Sequence, residues 1–272
     1  MYRLEDVRKV FDGEVSAVDG VDLVVAPGET VAVIGPSGAG KTTLFRMLNL
    51  TVRPSSGRLW IAGEDAAALP RGRLRELRRR IGTIYQQHNL VGRLRVAHNV
   101  LAGLLGGWSA LRALRSLFGP RPVDLRAAQE ALAQVGIPEK LWARTDELSG
   151  GQQQRVAIAR VLLQDPQVIL ADEPVSSVDP TLAQGIVRLL VALCRERRKT
   201  LIMNLHSVDL ALAHFPRIVG FREGRVAFDR PAGDVSETLL AALYAGARPD
   251  LPEDLPHAIP AVRSCTPVLR PQ

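Results

Sequence analysis

Residues 35–42 read GPSGAGKT, directly after the apolar, β-branched run Thr30–Ile34 (TVAVI) and at the start of a helix-forming stretch from Lys41 to Leu50. This arrangement restricts the fold strongly, because G-x-x-x-x-G-K-[ST] works only where a buried strand hands over to a helix. The glycines let backbone N–H groups close around phosphate oxygens, and the helix N-terminus adds positive potential. Lys41 is a point charge suited to β- and γ-phosphates, and the Thr42 hydroxyl can ligate magnesium. Gly35, Pro36, Ser37, Gly38, Ala39, Gly40, Lys41, Thr42 and Thr43 are therefore the first candidates for nucleotide binding.

The remaining patterns agree with such a strand. Arg58–Ala62, Ile81–Tyr85, Val168–Ala171, Thr200–Leu205, Arg217–Phe221 and Arg225–Phe228 read as further strands separated by helical stretches. Alternation of this kind predicts an α/β fold with a mainly parallel sheet. Between Gln87 and Ser149 the texture is helical: Trp108, Leu111, Leu114 and Phe118 fall on one face, with Arg112 and Arg115 on another, as expected of a helical insertion. From about Ala245 onward, six prolines in 28 residues predict an extended tail.

Composition excludes other classes. At 272 residues, with 46% hydrophobic and 23% charged residues, the chain is long enough for a sizeable core and too apolar to be disordered. No apolar run approaches the roughly 20 residues of a spanning helix. The opening MYRLEDVRKVF mixes acids and bases where a signal peptide needs an apolar core, so the expected place is the cytosolic side of a membrane. Cys194 and Cys265 are no disulfide framework. The net charge of +7 concentrates between Arg71 and Arg95, where eight arginines face Glu76 alone. A solvated helix face explains that run better than nucleic acid does, since Tyr85 is the only aromatic interleaved with it.

Two further motifs carry chemistry. VILADE (168–173) is an apolar strand ending in adjacent carboxylates. If extended geometry persists, Asp172 and Glu173 point to opposite sides and take different tasks: Asp172 holds magnesium, and Glu173 orients or deprotonates a water aimed at the γ-phosphate. LSGGQQQR (148–155) precedes an apolar helical pattern. Ser149 is a good N-cap, and Gly150 and Gly151 leave N–H groups bare at a second helix start.

GPSGAGKT, LSGGQ and ILADE in this order and spacing resemble the ATP-binding subunits of ABC transporters, and the resemblance covers most of the chain. It implies a P-loop fold with a mainly parallel core sheet, an antiparallel β subdomain and a helical subdomain. The implied domain spans 1–246, with core 1–86 and 152–246 around helical residues 87–151, followed by the tail 247–272. It further implies Mg2+ and ATP clasped in a head-to-tail dimer, where Ser149, Gly150, Gly151 and Gln152 of one copy complete the site of the other. Carried over singly, Phe11 stacks on adenine, Gln86 links magnesium and water to the helical region, His206 contacts the γ-phosphate beside the general base, and Asp179 couples the two sites. Phe11 for a commoner tyrosine and SSVD for SALD are small departures.

Within that family, YQQHNLVGRLRVAHNVLAG, LLGGWSALRALRSLF and LHSVDLAL resemble the subunits of phosphonate importers, with His88 as a departure from a common aromatic. The implied partners are a second copy, transmembrane permease subunits and, indirectly, a periplasmic or lipid-anchored substrate-binding protein; nucleic acid is not expected. The implied location is the cytoplasmic face of the cell membrane, held peripherally. A soluble accessory ATPase of phosphonate breakdown and an importer of another small organic anion share these motifs and remain open at this point.

Overall fold

A computed structural model describes residues 1–11, 15–87, 89–175 and 179–245. His88, Ser176–Val178 of SSVD and the proline-rich tail fall outside the described residues. The chain opens with strands β1 (Tyr2–Phe11), β2 (Val15–Val25) and β3 (Thr30–Ile34), then helix α1 (Lys41–Leu48), β4 (Ser56–Ile61), β5 (Glu64–Asp65), α2 (Arg71–Arg79) and β6 (Ile81–Ile84). A helical stretch follows: α3 (Val96–Leu101), a 3-10 helix at Ala102–Gly107, α4 (Ala110–Phe118), α5 (Pro122–Gln134) and α6 (Gly150–Gln164). The chain then returns through β7 (Val168–Asp172), α7 (Pro180–Glu196), β8 (Thr200–Asn204), α8 (Val208–His214), β9 (Arg217–Arg222), β10 (Arg225–Pro231) and α9 (Glu237–Tyr244).

The strands form two sheets. One is antiparallel, in the order β2-β1-β4-β5; the other runs β10-β9-β3-β8-β7-β6, parallel except for β10. Neighbours β3, β8, β7 and β6 therefore release their following residues along one edge, in the order phosphate loop, His206, Asp172–Glu173 and Gln86. Ligand sites of open parallel sheets lie at that carboxyl edge.

Period-two alternation makes the sheet a partition between two cores. Ala32, Ile34, Ile169, Ala171, Leu201 and Met203 face a layer built from α3, α5, α6, α7 and α8. Val31, Val33, Val168, Leu170 and Ile202 face α1, α2 and the antiparallel sheet. Both faces are covered, which is why these strands read as continuous apolar runs. Cys194 lies in the first core, and burial pushes its thiol up to about 12, which leaves it unreactive.

Element ends differ from the sequence expectation by one to three residues. The first helix stops at Leu48 rather than Leu50, since Leu50 adopts a left-handed φ of 64°. Strand geometry also stops at Asp172: Glu173 turns left-handed, at φ 49°, so the strict alternation anticipated for the two acids fails there. The structure divides the stripe Trp108, Leu111, Leu114 and Phe118. Trp108 is buried, but the other three project from α4 to solvent, and the helix turns Arg112, Ala113 and Ser116 inward instead.

Candidate functional site

The phosphate loop is held in a shape that only glycine permits at its key points. Gly35, Gly38 and Gly40 have φ of 153°, 75° and 98°. A Cβ on Gly35 would lie 1.9 Å from the Phe221 carbonyl oxygen, and one on Gly40 would lie 2.0 Å from that of Ala17. Strands β9 and β2 thus brace the loop from two sides. Gly40 is also the N-cap of α1 and offers no side chain to its first N–H groups, which suits an anion there. Lys41 is buried and donates from Nζ to the carbonyls of Gly35 (2.7 Å) and Pro36 (2.8 Å), inside the concavity the loop encloses. Thr42 and Thr43 stand in the first turn of α1, half-buried.

At the neighbouring strand ends the two acids are joined by one amide. Asn204 closes β8 opposite Asp172, and its Nδ2 donates to Asp172 Oδ1 at 2.8 Å and to Glu173 Oε1 at 3.3 Å. His206 Nε2 lies 2.6 Å from the same Glu173 oxygen. The backbone N–H of Glu173 donates to the Asn204 carbonyl at 3.2 Å, which anchors the turn. Glu173 is 8% exposed, and Asn204 is fully buried. Burial holds the Asp172 carboxyl above the usual range, while the Asn204 bond and the charges of Arg46 and Lys41 oppose that rise and Glu173 adds to it. The influence of Lys41 and Arg46 ties α1 to the acid pair across the same edge.

The other anticipated residues are placed as follows. Phe11 ends β1, its ring flanked by the Lys9 ammonium 4.8 Å from the centroid, on the hairpin whose second strand supplies the Ala17 carbonyl against Gly40. Gln86 is exposed in the bend after β6, whose Ile84 pairs with Ala171. Asp179 caps α7, accepting from the N–H groups of Thr181 and Leu182 at 3.0 Å each. Ser149 caps α6 in a reciprocal box: its Oγ accepts from Gln152 N at 3.4 Å, and the Gln152 side chain accepts from Ser149 N at 3.1 Å. Gly151 packs so closely on α7 that a Cβ would lie 2.2 Å from Leu182 Cδ2, whereas a Cβ on Gly150 would meet nothing within 4 Å among the described residues.

Asn204 is the residue that sequence reasoning missed. Its only signal is a polar side chain closing the otherwise apolar strand TLIMN, which becomes informative once β8 is known to adjoin β7.

A family model described as ABC transporter matches residues 18–176, more than half of the chain. The chain belongs to the ABC transporter family. The span that matches this family contains the phosphate loop, LSGGQ and the acid pair; Phe11, Asn204 and His206 lie outside it. Among curated relatives, the chain is 49% identical over 248 residues to the phosphonates import ATP-binding protein PhnC of Pseudomonas fluorescens (strain Pf0-1), covering 91% of each chain. It is 50% identical over 233 residues to the protein of that name from Pseudomonas putida, covering 86% of each. Among solved structures it resembles a dimeric bacterial ABC transporter cassette, with a TM-score of 0.76, 31% identity and coverage of 85% of this chain and 99% of that one. A dimeric ATP-binding cassette in a post-hydrolysis state bound to ADP and Pi matches with a TM-score of 0.75, at the same identity and coverage.

Proposed function

We propose that this ABC transporter family member binds Mg-ATP and hydrolyses it as the energising subunit of an importer for phosphonates. The observation that carries the catalytic part is Glu173: a nearly buried carboxylate, fixed by Asn204 and His206, at the strand end beside the phosphate loop. The similarity to curated phosphonate import subunits over nine-tenths of the chain supports the substrate class.

In this reading the loop N–H groups and Lys41 hold the β- and γ-phosphates, and Phe11 stacks on the adenine. Glu173 accepts a proton from the attacking water as its oxygen bonds to the γ-phosphorus, while the bond to the β–γ bridging oxygen breaks and ADP leaves. His206, bonded through Nε2 to Glu173, orients that carboxylate and meets the γ-phosphate. Asn204 keeps the two acids from drifting into each other's task. Thr42, Asp172 and Gln86 present hydroxyl, carboxylate and amide oxygens, the donor set magnesium accepts together with phosphate and water. Bound there, the ion would neutralise charge on the phosphates.

Protons compete with the ion for Asp172. Because burial raises that carboxyl, it takes up its proton at higher pH than an ordinary aspartate. The magnesium concentration for half-maximal ATPase should therefore climb as the pH falls through that raised value. A requirement that stays flat as the pH falls from neutrality would reject Asp172 as a ligand.

Gly150 supports a second copy as the missing half of the site. Among the described residues nothing lies within 4 Å of a Cβ placed there, which leaves room for a group from a second copy. Gly150→Val should leave the melting temperature within a few degrees, given an exposed first-turn position, yet lower ATP hydrolysis by more than about tenfold. Analytical ultracentrifugation with Glu173→Gln as background reads the dimer directly, and a Gly150→Val protein that still dimerises and hydrolyses normally contradicts the reading.

A surface cavity supports the reading of a permease partner. A cavity of ≈ 1210 Å³ opens between α2, β6 and the helical layer, lined by Arg75, Arg79, Tyr85, Asn89, Trp108 and Arg160 among others. Tyr85 and Asn89 flank the segment carrying Gln86, so an element seated there would touch the strand end next to the acids. A permease element seated there would hold the chain peripherally at the cytoplasmic membrane face. Phosphonate uptake into proteoliposomes holding this chain and its permease tests the whole reading; ATPase activity that never associates with a permease favours an accessory enzyme.

A further inference from the structure

Helix α4 is built inside out. It spans nine residues, ALRALRSLF, and packs through Arg112, Ala113 and Ser116. Arg112 lies over the Trp108 ring, 4.4 Å from its centroid, and bonds Asp124 Oδ1 at 3.1 Å. The apolar side chains point the other way: Leu111, Leu114, Leu117 and Phe118 are 78%, 57%, 55% and 88% exposed. Solitary exposed leucines need no explanation, but four on a single face of one short helix form a patch that water disfavours. Val123, at the start of α5, is exposed as well.

The charge from α4 to the end of α5 leans positive. Residues 110–134 carry four arginines (112, 115, 121 and 126) against Asp124 and Glu130. Asp124 is buried and bonded to Arg112 and Arg121. An apolar stripe edged by arginine, on a helix about 14 Å long by the 1.5 Å rise per residue, is too short to cross a bilayer. It has the composition of a helix that lies in the headgroup region of anionic lipid. The stripe is not part of the cavity lining: α4 contributes only Arg112 to that cavity.

We propose that α4 contacts the membrane directly, with Leu111, Leu114, Leu117 and Phe118 entering the acyl boundary of an anionic phospholipid surface and Arg115 meeting the headgroups. This deepens the peripheral location proposed above, and its test omits the permease, so that either reading can fail without the other.

The test is co-sedimentation of the purified full chain with vesicles of phosphatidylglycerol and phosphatidylethanolamine, and with vesicles of phosphatidylcholine alone. The wild type should pellet with the anionic vesicles and much less with the zwitterionic ones. Leu114→Glu with Phe118→Glu should reduce anionic binding by at least about tenfold, with melting temperature and ATPase activity unchanged. Leu114→Trp supplies a second readout that tolerates any loss of solubility: bromines on the acyl chains should quench the added emission relative to the parent protein. Failure of the wild type to pellet, or pelleting that the double variant leaves intact, overturns the proposal. So does a double variant that changes only the oligomeric state or only the capture of permease, which would assign the stripe to protein instead.

Discussion

Glu173→Gln should bind ATP with wild-type affinity and lose about 10²- to 10⁴-fold in turnover, the range a positioned general base contributes. Glutamine keeps the shape and still accepts from Asn204 Nδ2, which lies 3.3 Å from Glu173 Oε1 in the native protein. What it loses is the ability to take a proton from water. Because substrate then persists, the variant should accumulate as an ATP-bound dimer detectable by size-exclusion chromatography. Single-turnover hydrolysis at the wild-type rate would remove Glu173 from the role of base. His206→Ala should fall between the two, since it frees a carboxylate that Asn204 still restrains.

Lys41→Met should abolish measurable nucleotide binding at micromolar ATP. The ammonium is buried and bonded to the Gly35 and Pro36 carbonyls, so it is already oriented within the loop. A hydrogen bond to a charged group is worth about 1.5–3 kcal/mol, and loss of one such contact alone weakens binding about 10- to 150-fold. Loss of the full charge opposite a triphosphate costs more, because the charge also meets phosphates in a site of low dielectric. Methionine preserves most of the stem's packing, so a fluorescent-nucleotide titration reads binding apart from folding. Wild-type affinity in a folded Lys41→Met protein would contradict the assignment of the loop.

The sheet was legible where both of its faces are buried, because β3, β7 and β8 are unbroken apolar runs with glycine, acid or asparagine at their ends. The antiparallel pair β1 and β2 was not read from the residues. Tyr2 and Leu4 face the core, but the register then shifts, and Val7 rather than residue 6 comes next. Asp6 (φ 44°) and Gly20 (φ 68°) take left-handed conformations within these strands, and such interruptions hide a period of two. In the site, the glycines were legible because the tight backbone demands them, and Lys41 because it completes the loop motif with a charge for phosphate. Asn204 was not, since its role exists only once β8 is placed beside β7. The direction of α4 was not legible for a related reason: periodicity reveals that a helix has an apolar side, not whether that side meets protein.

Glu173 holds a left-handed backbone at a position where a side chain is disfavoured by roughly 1–2 kcal/mol. Asparagine or glycine would sit there with less strain. Selection for heat resistance alone, applied to a library at this codon, would therefore enrich sturdier and inert proteins. The preference of survivors for glutamate under combined selection would measure how far chemistry, rather than folding, dictates that residue.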